Sequence, residues 1–225
     1  MIDFFANKEP DKVAIFSDKV TKTYNQLEKD IRKIERIFKT GQIVILLCKN
    51  SYYSLLFYLT CLKVGSIPLL LSDNLNPFQI KDYIRRYKPA YLLSPKKINI
   101  EEEISEEYGD YYIYSRNQDN IVNNKNLSLL LTTSGSTGNP KVVKVTKDNL
   151  LENTKSISEY LNLSKEDRHI TTLPMNYTYG LSCINTFLYS GGSIILNEYA
   201  INMREFWINV EEYKPTYLAG VPYTY

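Results

Sequence analysis

The stretch TTSGSTGNPK, from Thr132 to Lys141, lies between two apolar runs, LSLLL before it and VVKV after it. Gly135 and Gly138 allow the backbone to adopt positive φ values and let a ligand approach the main chain closely. Lys141 adds a positive charge at the exit of the loop, where Pro140 fixes its own φ near −65°. Hydroxyl groups and exposed backbone N–H groups are the donors that surround phosphate oxygens in an anion-binding nest. The hydroxyl side chains of this loop are those of Thr132, Thr133, Ser134, Ser136 and Thr137. We therefore predict a phosphate-binding loop between two buried strands.

The spacing of this loop differs from that of two widespread phosphate motifs. A Walker A loop has four residues between its first Gly and its Gly-Lys pair, whereas Asn139 and Pro140 separate Gly138 from Lys141. A Rossmann fingerprint has the pattern G-x-G-x-x-G, and this loop has G-S-T-G. Both motifs are therefore excluded. A flexible turn that binds no ligand is the alternative interpretation.

Over its whole length the loop resembles the phosphate-loop signature of the AMP-forming adenylating superfamily, which includes acyl-CoA synthetases, peptide-synthetase adenylation domains and luciferases. Within Leu130 to Lys141, residues 133–141 match T-S-G-S-T-G-x-P-K without a gap, and the aliphatic residues that precede the pattern are separated from it by Thr132. In that family the loop holds the β- and γ-phosphates of ATP while a carboxylate attacks the α-phosphate. Val142 departs from the pattern, since the family usually has Gly after the Pro-Lys pair. The resemblance implies a catalytic role for Lys141 and ATP-binding roles for Thr133, Ser134, Gly135, Ser136, Thr137, Gly138 and Lys141.

A second stretch, LPMNYTYGLS at residues 173–182, resembles the family element L-P-x-x-H-x-x-G. In the family an aromatic residue or His near its centre lines the acyl and nucleotide pocket. When the two are aligned on Pro174 and Gly180, Tyr177 occupies the His position, and it cannot become cationic near neutral pH. The resemblance implies a substrate pocket formed by Tyr177, Tyr179 and Gly180. The alternative is that both tyrosines are core residues at a strand-to-helix turn.

Strand and helix patterns alternate along the chain. Predicted strands cover 13–17, 42–48, 67–71, 90–93, 111–114, 142–145, 168–173, 193–196 and 216–218. Predicted helices cover about 24–39, 53–64, 77–87, 100–108, 148–161, 181–189 and 203–213. This order predicts an α/β fold of doubly wound, mostly parallel sheets with flanking helices, in which ligands gather at the carboxyl ends of strands. The resemblance implies two packed α/β subdomains like those of an acyl-CoA synthetase N-terminal domain: 1–115 as the first part, 116–126 as a polar linker, and 127–225 as the second part, ending before the remaining active-site motifs.

Composition excludes several classes of function. The 27 basic and 25 acidic residues leave a net charge of +2, which gives no reason to expect nucleic acid as a partner. No apolar run reaches the roughly 18 residues of a membrane span, and the N-terminus lacks a signal-peptide core. Cys48, Cys61 and Cys183 are predicted to be buried free thiols rather than metal ligands, which favours a cytoplasmic location. His169, the only histidine, is interpreted as a strand residue rather than a catalytic base.

By resemblance, the expected activity is ATP-dependent conversion of a small-molecule carboxylic acid to an acyl-adenylate with release of pyrophosphate. Thioester formation on coenzyme A or on a carrier-protein thiol would follow, which makes an acyl-carrier protein a candidate partner. Mg²⁺ is implied as a cofactor, with ligands mostly beyond Tyr225, so the isolated chain is expected to be inactive. Two alternatives stay open: a truncated or degenerate paralogue that acts as a non-catalytic nucleotide-binding module, and an amino-acid adenylation domain of the peptide-synthetase type. A phosphate-binding hydrolase is weaker, because no nucleophile–base pair is evident.

Overall fold

The computed structural model describes residues 8–100, 104–116, 120–132 and 141–222. Its strands are Val13–Phe16 (β1), Thr21–Thr23 (β2), Ile43–Cys48 (β3), Ile67–Ser72 (β4), Tyr91–Ser94 (β5), Ile104–Tyr108 (β6), Tyr111–Ser115 (β7), Leu127–Thr132 (β8), Val142–Thr146 (β9), Arg168–Ile170 (β10), Ser193–Ile195 (β11) and Tyr217–Leu218 (β12). Its α-helices are Tyr24–Ile34 (α1), Tyr52–Val64 (α2), Pro77–Tyr87 (α3), Lys147–Tyr160 (α4), Thr178–Tyr189 (α5) and Arg204–Tyr213 (α6). No helix in this described part of the chain is long and apolar enough to cross a membrane.

The strands form a seven-stranded and a five-stranded sheet. The larger sheet has the order β6-β7-β5-β3-β4-β8-β9, and its four central strands β5, β3, β4 and β8 are parallel. The smaller sheet has the order β12-β10-β11-β1-β2, and only the pair of β1 with β2 is antiparallel. Apolar residues fill the central strands, as in IVILLC of β3, because parallel strands are covered on both faces. The predicted α/β class with mostly parallel sheets is confirmed.

The main core lies between the two sheets. Along β3, Val44 and Leu46 belong to this core, whereas Ile45 and Leu47 point to a second core under α3. Alternate side chains of a strand point to opposite faces, so each central strand supplies both cores. Helix α2 is buried on nearly all sides, with mostly apolar residues around its circumference. It therefore serves as a layer between the sheets instead of an amphipathic surface helix.

The predicted polar helix at 100–108 is wrong, because Ile104–Tyr108 forms the edge strand β6. It pairs antiparallel with β7 across a two-residue turn of Gly109 and Asp110, and Gly109 has φ +63°. Glycine is favoured there because the tight hairpin turn requires a positive φ. The glutamates of β6 lie on an exposed edge, where charges oppose pairing with another chain.

Two helix boundaries also differ from prediction. Helix α1 ends at Ile34 and a short 3₁₀ turn, Glu35–Ile37, follows it, so the helix does not reach residue 39. Gly41, with φ +79°, then turns the chain towards β3. Helix α5 begins at Thr178, three residues earlier than predicted, after the non-capping residue Tyr177. A cap residue of the Ser, Thr, Asp or Asn type would have marked this start in the sequence.

Each sheet contains strands from both sides of the predicted linker at 116–126. Strands β8 and β9 follow the linker but join the same sheet as β3 and β4, and β1 precedes it but joins the sheet of β10 and β11. Part of the linker packs on the larger sheet, since Ile121 bridges to Gln42 and the Val122 N–H donates to the Gly41 carbonyl at 2.9 Å. The division into 1–115 and 127–225 stays a prediction.

Candidate functional site

The predicted phosphate loop falls largely outside the described residues. Thr133, Ser134, Gly135, Ser136, Thr137 and Gly138 are among the residues that the structure does not describe. Both ends of the loop are described: Thr132 ends β8, and the exposed Lys141 precedes β9. Thr132 and Val142 are direct partners in the antiparallel register of these strands. Val142 is thus a regular strand residue, and a β-branched side chain suits that position.

The position of β8 in the sheet fixes where the loop starts. Leu130 and Leu131 pair in parallel with Leu69 and Leu70 of β4. The carboxyl end of β8 therefore lies at the same edge of the sheet as the carboxyl ends of β3 and β4. In open α/β sheets this is the edge at which ligands bind.

A cleft of about 360 Å³ lies at this edge and is formed by both sheets. Its lining follows directly after β3 and β4 in the larger sheet and after β10 and β11 in the smaller one. The lining is mostly polar, and it consists of Cys48, Lys49, Asn50, Ser72, Asp73, Asn74, Thr172, Pro174, Asn176, Asn197, Glu198, Tyr199 and Ala200. The cleft thus combines amide and hydroxyl groups with charges of both signs.

Asn50 connects the two sheets at the cleft. Its side-chain Nδ2 donates to the Leu173 carbonyl at 3.0 Å, and its Oδ1 accepts from the Met175 N–H at 3.0 Å. Both bonds reach from the turn after β3 to the turn between β10 and α5. The bonds hold Pro174, which lines the cleft between the two bonded residues, in a defined position.

A buried network fixes the turn after β11. The Asn197 N–H donates to Thr171 Oγ1 at 2.9 Å, and Asn197 Nδ2 donates to the Tyr199 carbonyl at 2.7 Å. Asn209 of α6 donates to Asn197 Oδ1 at 3.3 Å. Satisfied polar networks of this kind hold a loop in one conformation. Glu198, in the same turn, faces Lys49 at 3.6 Å between Nζ and Oε2.

The predicted substrate-pocket tyrosines lie at the start of α5. Tyr177 is 47% exposed and Tyr179 is 43% exposed, so the alternative that both are core residues is wrong. The described cleft is lined by Pro174 and Asn176 from this turn rather than by the two tyrosines. Their assignment to a substrate pocket stays a prediction.

Gly180 is buried where α5 packs on the turn that precedes it. A Cβ atom at this position would lie 2.4 Å from the Pro174 carbonyl oxygen and 2.8 Å from the Leu173 carbonyl oxygen. No side chain fits at such distances from backbone atoms. The structure thus explains Gly180 by close packing that supports the wall of the cleft.

His169 is a strand residue, as predicted. It lies buried in β10 and stacks on Phe187, with ring centroids 5.1 Å apart. Burial lowers the pKa of His169 to about 4, so the ring is neutral near pH 7. The three cysteines are free: Cys48 and Cys61 are buried as predicted, and Cys183 is partly buried. Burial raises the pKa of the Cys183 thiol to about 11, which suppresses its reactivity.

The two implied ligands are Mg²⁺ and ATP. In the described part of the chain, no group of three or more His, Cys, Asp or Glu side chains is placed to hold a metal ion. The polar cleft beside the end of β8, together with the exposed Lys141, fits a phosphate-bearing ligand. Sequence reasoning missed Asn50, Asn197 and Glu198. Their signal was their position directly after apolar strand runs.

The chain matches known proteins along its whole length. The family model for AMP-binding enzymes matches residues 2–225. The probable CoA ligase CCL5 of Humulus lupulus is 26% identical over 210 residues, covering 82% of this chain and 38% of that protein. The 2-succinylbenzoate–CoA ligase of Bacillus pumilus is 22% identical over 229 residues, covering 94% of this chain and 46% of that protein.

The fold matches that of solved enzyme structures. The O-succinylbenzoate coenzyme A synthetase of Bacillus subtilis, in complex with ATP and magnesium ion, aligns with a TM-score of 0.78 at 18% identity, covering 99% of this chain and 64% of that one. This likeness confirms the predicted fold of an acyl-CoA synthetase N-terminal domain. The chain spans less than half the length of the curated relatives described above. On the family match, the chain belongs to the AMP-binding enzyme family.

Proposed function

We propose that this chain forms the ATP-binding part of an enzyme that activates a carboxylic acid as its acyl-adenylate and then transfers the acyl group to a thiol. The supporting observation is the position of the T-S-G-S-T-G-x-P-K sequence. It starts at the carboxyl end of β8, beside the polar cleft between the two sheets. The chain has the loop sequence of the AMP-binding enzyme family, and the loop starts at the edge of the sheet where ligands bind in such folds, so ATP is the favoured ligand.

In the proposed reaction, a carboxylate oxygen bonds to the α-phosphorus of ATP. The bond from that phosphorus to the oxygen bridging to the β-phosphate breaks, and pyrophosphate leaves. Loop N–H and hydroxyl groups, together with Lys141, stabilise the negative charge that builds on the leaving group. Mg²⁺, when bound, neutralises phosphate charge. The thiol of coenzyme A or of a carrier protein then attacks the acyl carbon, and AMP leaves.

ATP binding by this chain is the first test. Titration with ATP is compared for the parent chain, Lys141→Ala and the matched control Lys144→Ala, an exposed residue of β9 three positions further on. We expect Lys141→Ala to weaken binding about tenfold and Lys144→Ala to change it less than about twofold. Equal effects of the two substitutions would remove Lys141 from the site.

Acid activation is the second test. Acid-dependent pyrophosphate release from ATP is measured with hydroxylamine present to trap the acyl-adenylate, across fatty, aryl and amino acids. The chain is assayed alone and as part of any longer chain from the same reading frame. We expect no release from this chain alone, because it spans less than half of its curated relatives. Release with amino acids only would assign a peptide-synthetase type of adenylation. The absence of release from every chain would favour a non-catalytic nucleotide-binding module.

The free cysteines agree with a reducing compartment. We therefore propose a cytoplasmic location for the activity.

A further inference from the structure

A second cavity lies at the opposite edge of the seven-stranded sheet. Its volume is about 420 Å³, and it opens at the amino ends of β4 and β8, where Ile67 and Leu127 begin these strands. The cavity shares no lining residue with the cleft at the carboxyl edge. Its volume lies within the range of about 300–1,000 Å³ that is typical of small-molecule sites.

Backbone hydrogen bonds hold the Gly41 turn of the cavity to Gly65 on one side and to Val122 on the other. Gly41 has φ +79°, and its N–H donates to the Gly65 carbonyl at 2.8 Å. The Gly41 carbonyl accepts from the Val122 N–H at 2.9 Å, which holds the segment 121–125 as one wall. Asn124 Oδ1 closes that wall by accepting from the Leu127 N–H at 3.3 Å. The cavity is therefore already shaped before any ligand arrives.

Apolar side chains and two cations line this cavity. Leu62, Val64, Val122 and Leu127 contribute apolar surface. Lys125 and Lys147 also line it, and none of its lining residues is acidic. Neither lysine forms an ion pair with an acidic residue in the described parts of the chain. An apolar surface beside uncompensated positive charge is complementary to an amphipathic anion.

Ser128 adds a hydroxyl group to the lining of the cavity. Its residue exposure is 9%, it lines the cavity, and no described residue forms a hydrogen bond with its hydroxyl. By contrast Ser66, another buried serine of the lining, donates to the Lys39 carbonyl at 2.9 Å. The Ser128 hydroxyl is open to the cavity, since it is not one of the buried side-chain atoms that lack a partner. It is therefore able to donate a hydrogen bond to a ligand oxygen there.

We propose that this cavity binds a small amphipathic anion. Its aliphatic body lies on the apolar lining, and its carboxylate or phosphate group lies by Lys125 and Lys147 and accepts a hydrogen bond from Ser128. This site is separate from the proposed adenylation site and does not depend on it. A ligand here contacts β4 and β8 at their amino ends, and these same two strands carry the cleft and the phosphate loop at their carboxyl ends.

Backbone NMR of the ¹⁵N-labelled chain tests the site. Four probes are titrated separately: hexanoate, hexyl phosphate, inorganic phosphate and hexanol. We expect saturable shifts of the Gly65, Ser66 and Ser128 amide signals with hexanoate, hexyl phosphate or both, and the stronger of these two identifies the head group. Inorganic phosphate lacks the aliphatic body, and hexanol lacks the anionic group. Each should bind at least about tenfold more weakly than the better amphipathic probe.

Three variants sharpen this test. The double variant Lys125→Gln, Lys147→Gln should weaken binding of the better probe at least about tenfold, and Ser128→Ala should weaken it about threefold or more. Lys155→Gln, on the exposed side of α4 and away from the cavity, is the matched control and should change it less than about twofold.

Several results would overturn the proposal. One is the absence of saturable shifts at Gly65, Ser66 and Ser128 with either amphipathic probe. Another is an affinity for inorganic phosphate or for hexanol that equals the affinity for the better amphipathic probe. That result would show that the ligand need not be both apolar and anionic. A third is an unchanged affinity in the double lysine variant, in which Lys125 is exposed and Lys147 is half-buried.

Discussion

At the carboxyl edge of the seven-stranded sheet, side-chain hydrogen bonds hold the turns around the cleft, whereas at the amino edge two glycine turns and their backbone hydrogen bonds position the walls of the cavity. At the first edge Asn50 ties the turns of the two sheets to each other, and Asn197 ties two turns of the smaller sheet. Gly41 and Gly65, both with positive φ, make the turns at the second edge. The charged residues that line the cleft are carboxylates and a lysine, whereas those that line the cavity are lysines only. The first edge should therefore be sensitive to side-chain substitution, and the second to the loss of glycine.

The largest expected effect is at Gly180. In Gly180→Ala the new methyl group would lie 2.4 Å from the Pro174 carbonyl oxygen, which is backbone and cannot move aside easily. Overpacking against backbone should lower the free energy of unfolding by about 3 kcal/mol or more. Urea unfolding monitored by circular dichroism measures it. Thr178→Ala, exposed in the same helical turn, is the control and should cost less than about 0.5 kcal/mol. Equal costs would show that α5 shifts freely on the turn.

The next effect is at Asn50. Asn50→Ala removes both hydrogen bonds between the turns and leaves the Met175 N–H and the Leu173 carbonyl without their partners. We expect a loss of about 2–3 kcal/mol in the free energy of unfolding. Asn74→Ala, an exposed amide of the same cleft, is the matched control and should cost less than about 0.5 kcal/mol. A loss no greater than that of the control would mean that the sheets hold together without Asn50.

Several elements of the fold were predictable because local patterns encode them. Strands β3 and β4 are continuous apolar runs, and α3 begins with an Asn76–Gln79 capping box. Residues 104–108 were misassigned because a run of glutamates suits both a solvated helix and an edge strand. The turn at Gly109 was the deciding signal, since it directs the chain back along an aromatic strand.

The site was predictable only in part, for a different physical reason. The loop sequence and its place after a buried strand are local features, so both could be predicted. Asn50 contacts residues 123 and 125 positions away in the chain. A bond between two sheets depends on how the sheets pack, and no local pattern records it. The position of Ser128 in the lining of the second cavity likewise becomes visible only once the segment 121–125 is placed.

Acid should act near the carboxyl edge through Asp30. Asp30 accepts hydrogen bonds from Tyr52, which follows the Asn50 turn, and from Lys22 and Lys33, each at 2.7 Å. Burial raises the pKa of Asp30, but these hydrogen bonds outweigh it and lower the pKa to about 2. In the unfolded chain the pKa of Asp is about 3.9. The stabilisation, about 2 kcal/mol, is therefore present above pH of about 4 and is lost as the pH falls through about 2.

Unfolding free energies of the parent chain and Asp30→Asn, measured from pH 5 to pH 2, test this. The difference between the two proteins should shrink as the pH falls, because the parent alone loses the Asp30 contribution. Asp82→Asn is the control: Arg85 and Arg86 pair with that carboxylate on the surface of α3, where solvent screens the charges. A difference that stays constant over this range would contradict a lowered pKa for Asp30.

The smallest expected effect, at Gly41, separates the amino edge from the carboxyl edge most directly. In Gly41→Ala the residue keeps its unfavourable positive φ and gains a contact at 2.8 Å with Ile121 Cγ2, whereas Gly191→Ala has a similar φ of +76° and no contact closer than 3.4 Å. Both variants should lose free energy of unfolding through the positive φ. The loss in Gly41→Ala minus the loss in Gly191→Ala gives the cost of the contact with the segment 121–125, which we expect to be about 1 kcal/mol. If the backbone shapes the cavity, Gly41→Ala should also displace that segment and weaken binding of the better amphipathic probe, while ATP binding at the other edge stays as in Gly191→Ala. Equal losses in the two variants, with probe binding unchanged, would mean that side chains rather than the Gly41 turn hold this wall.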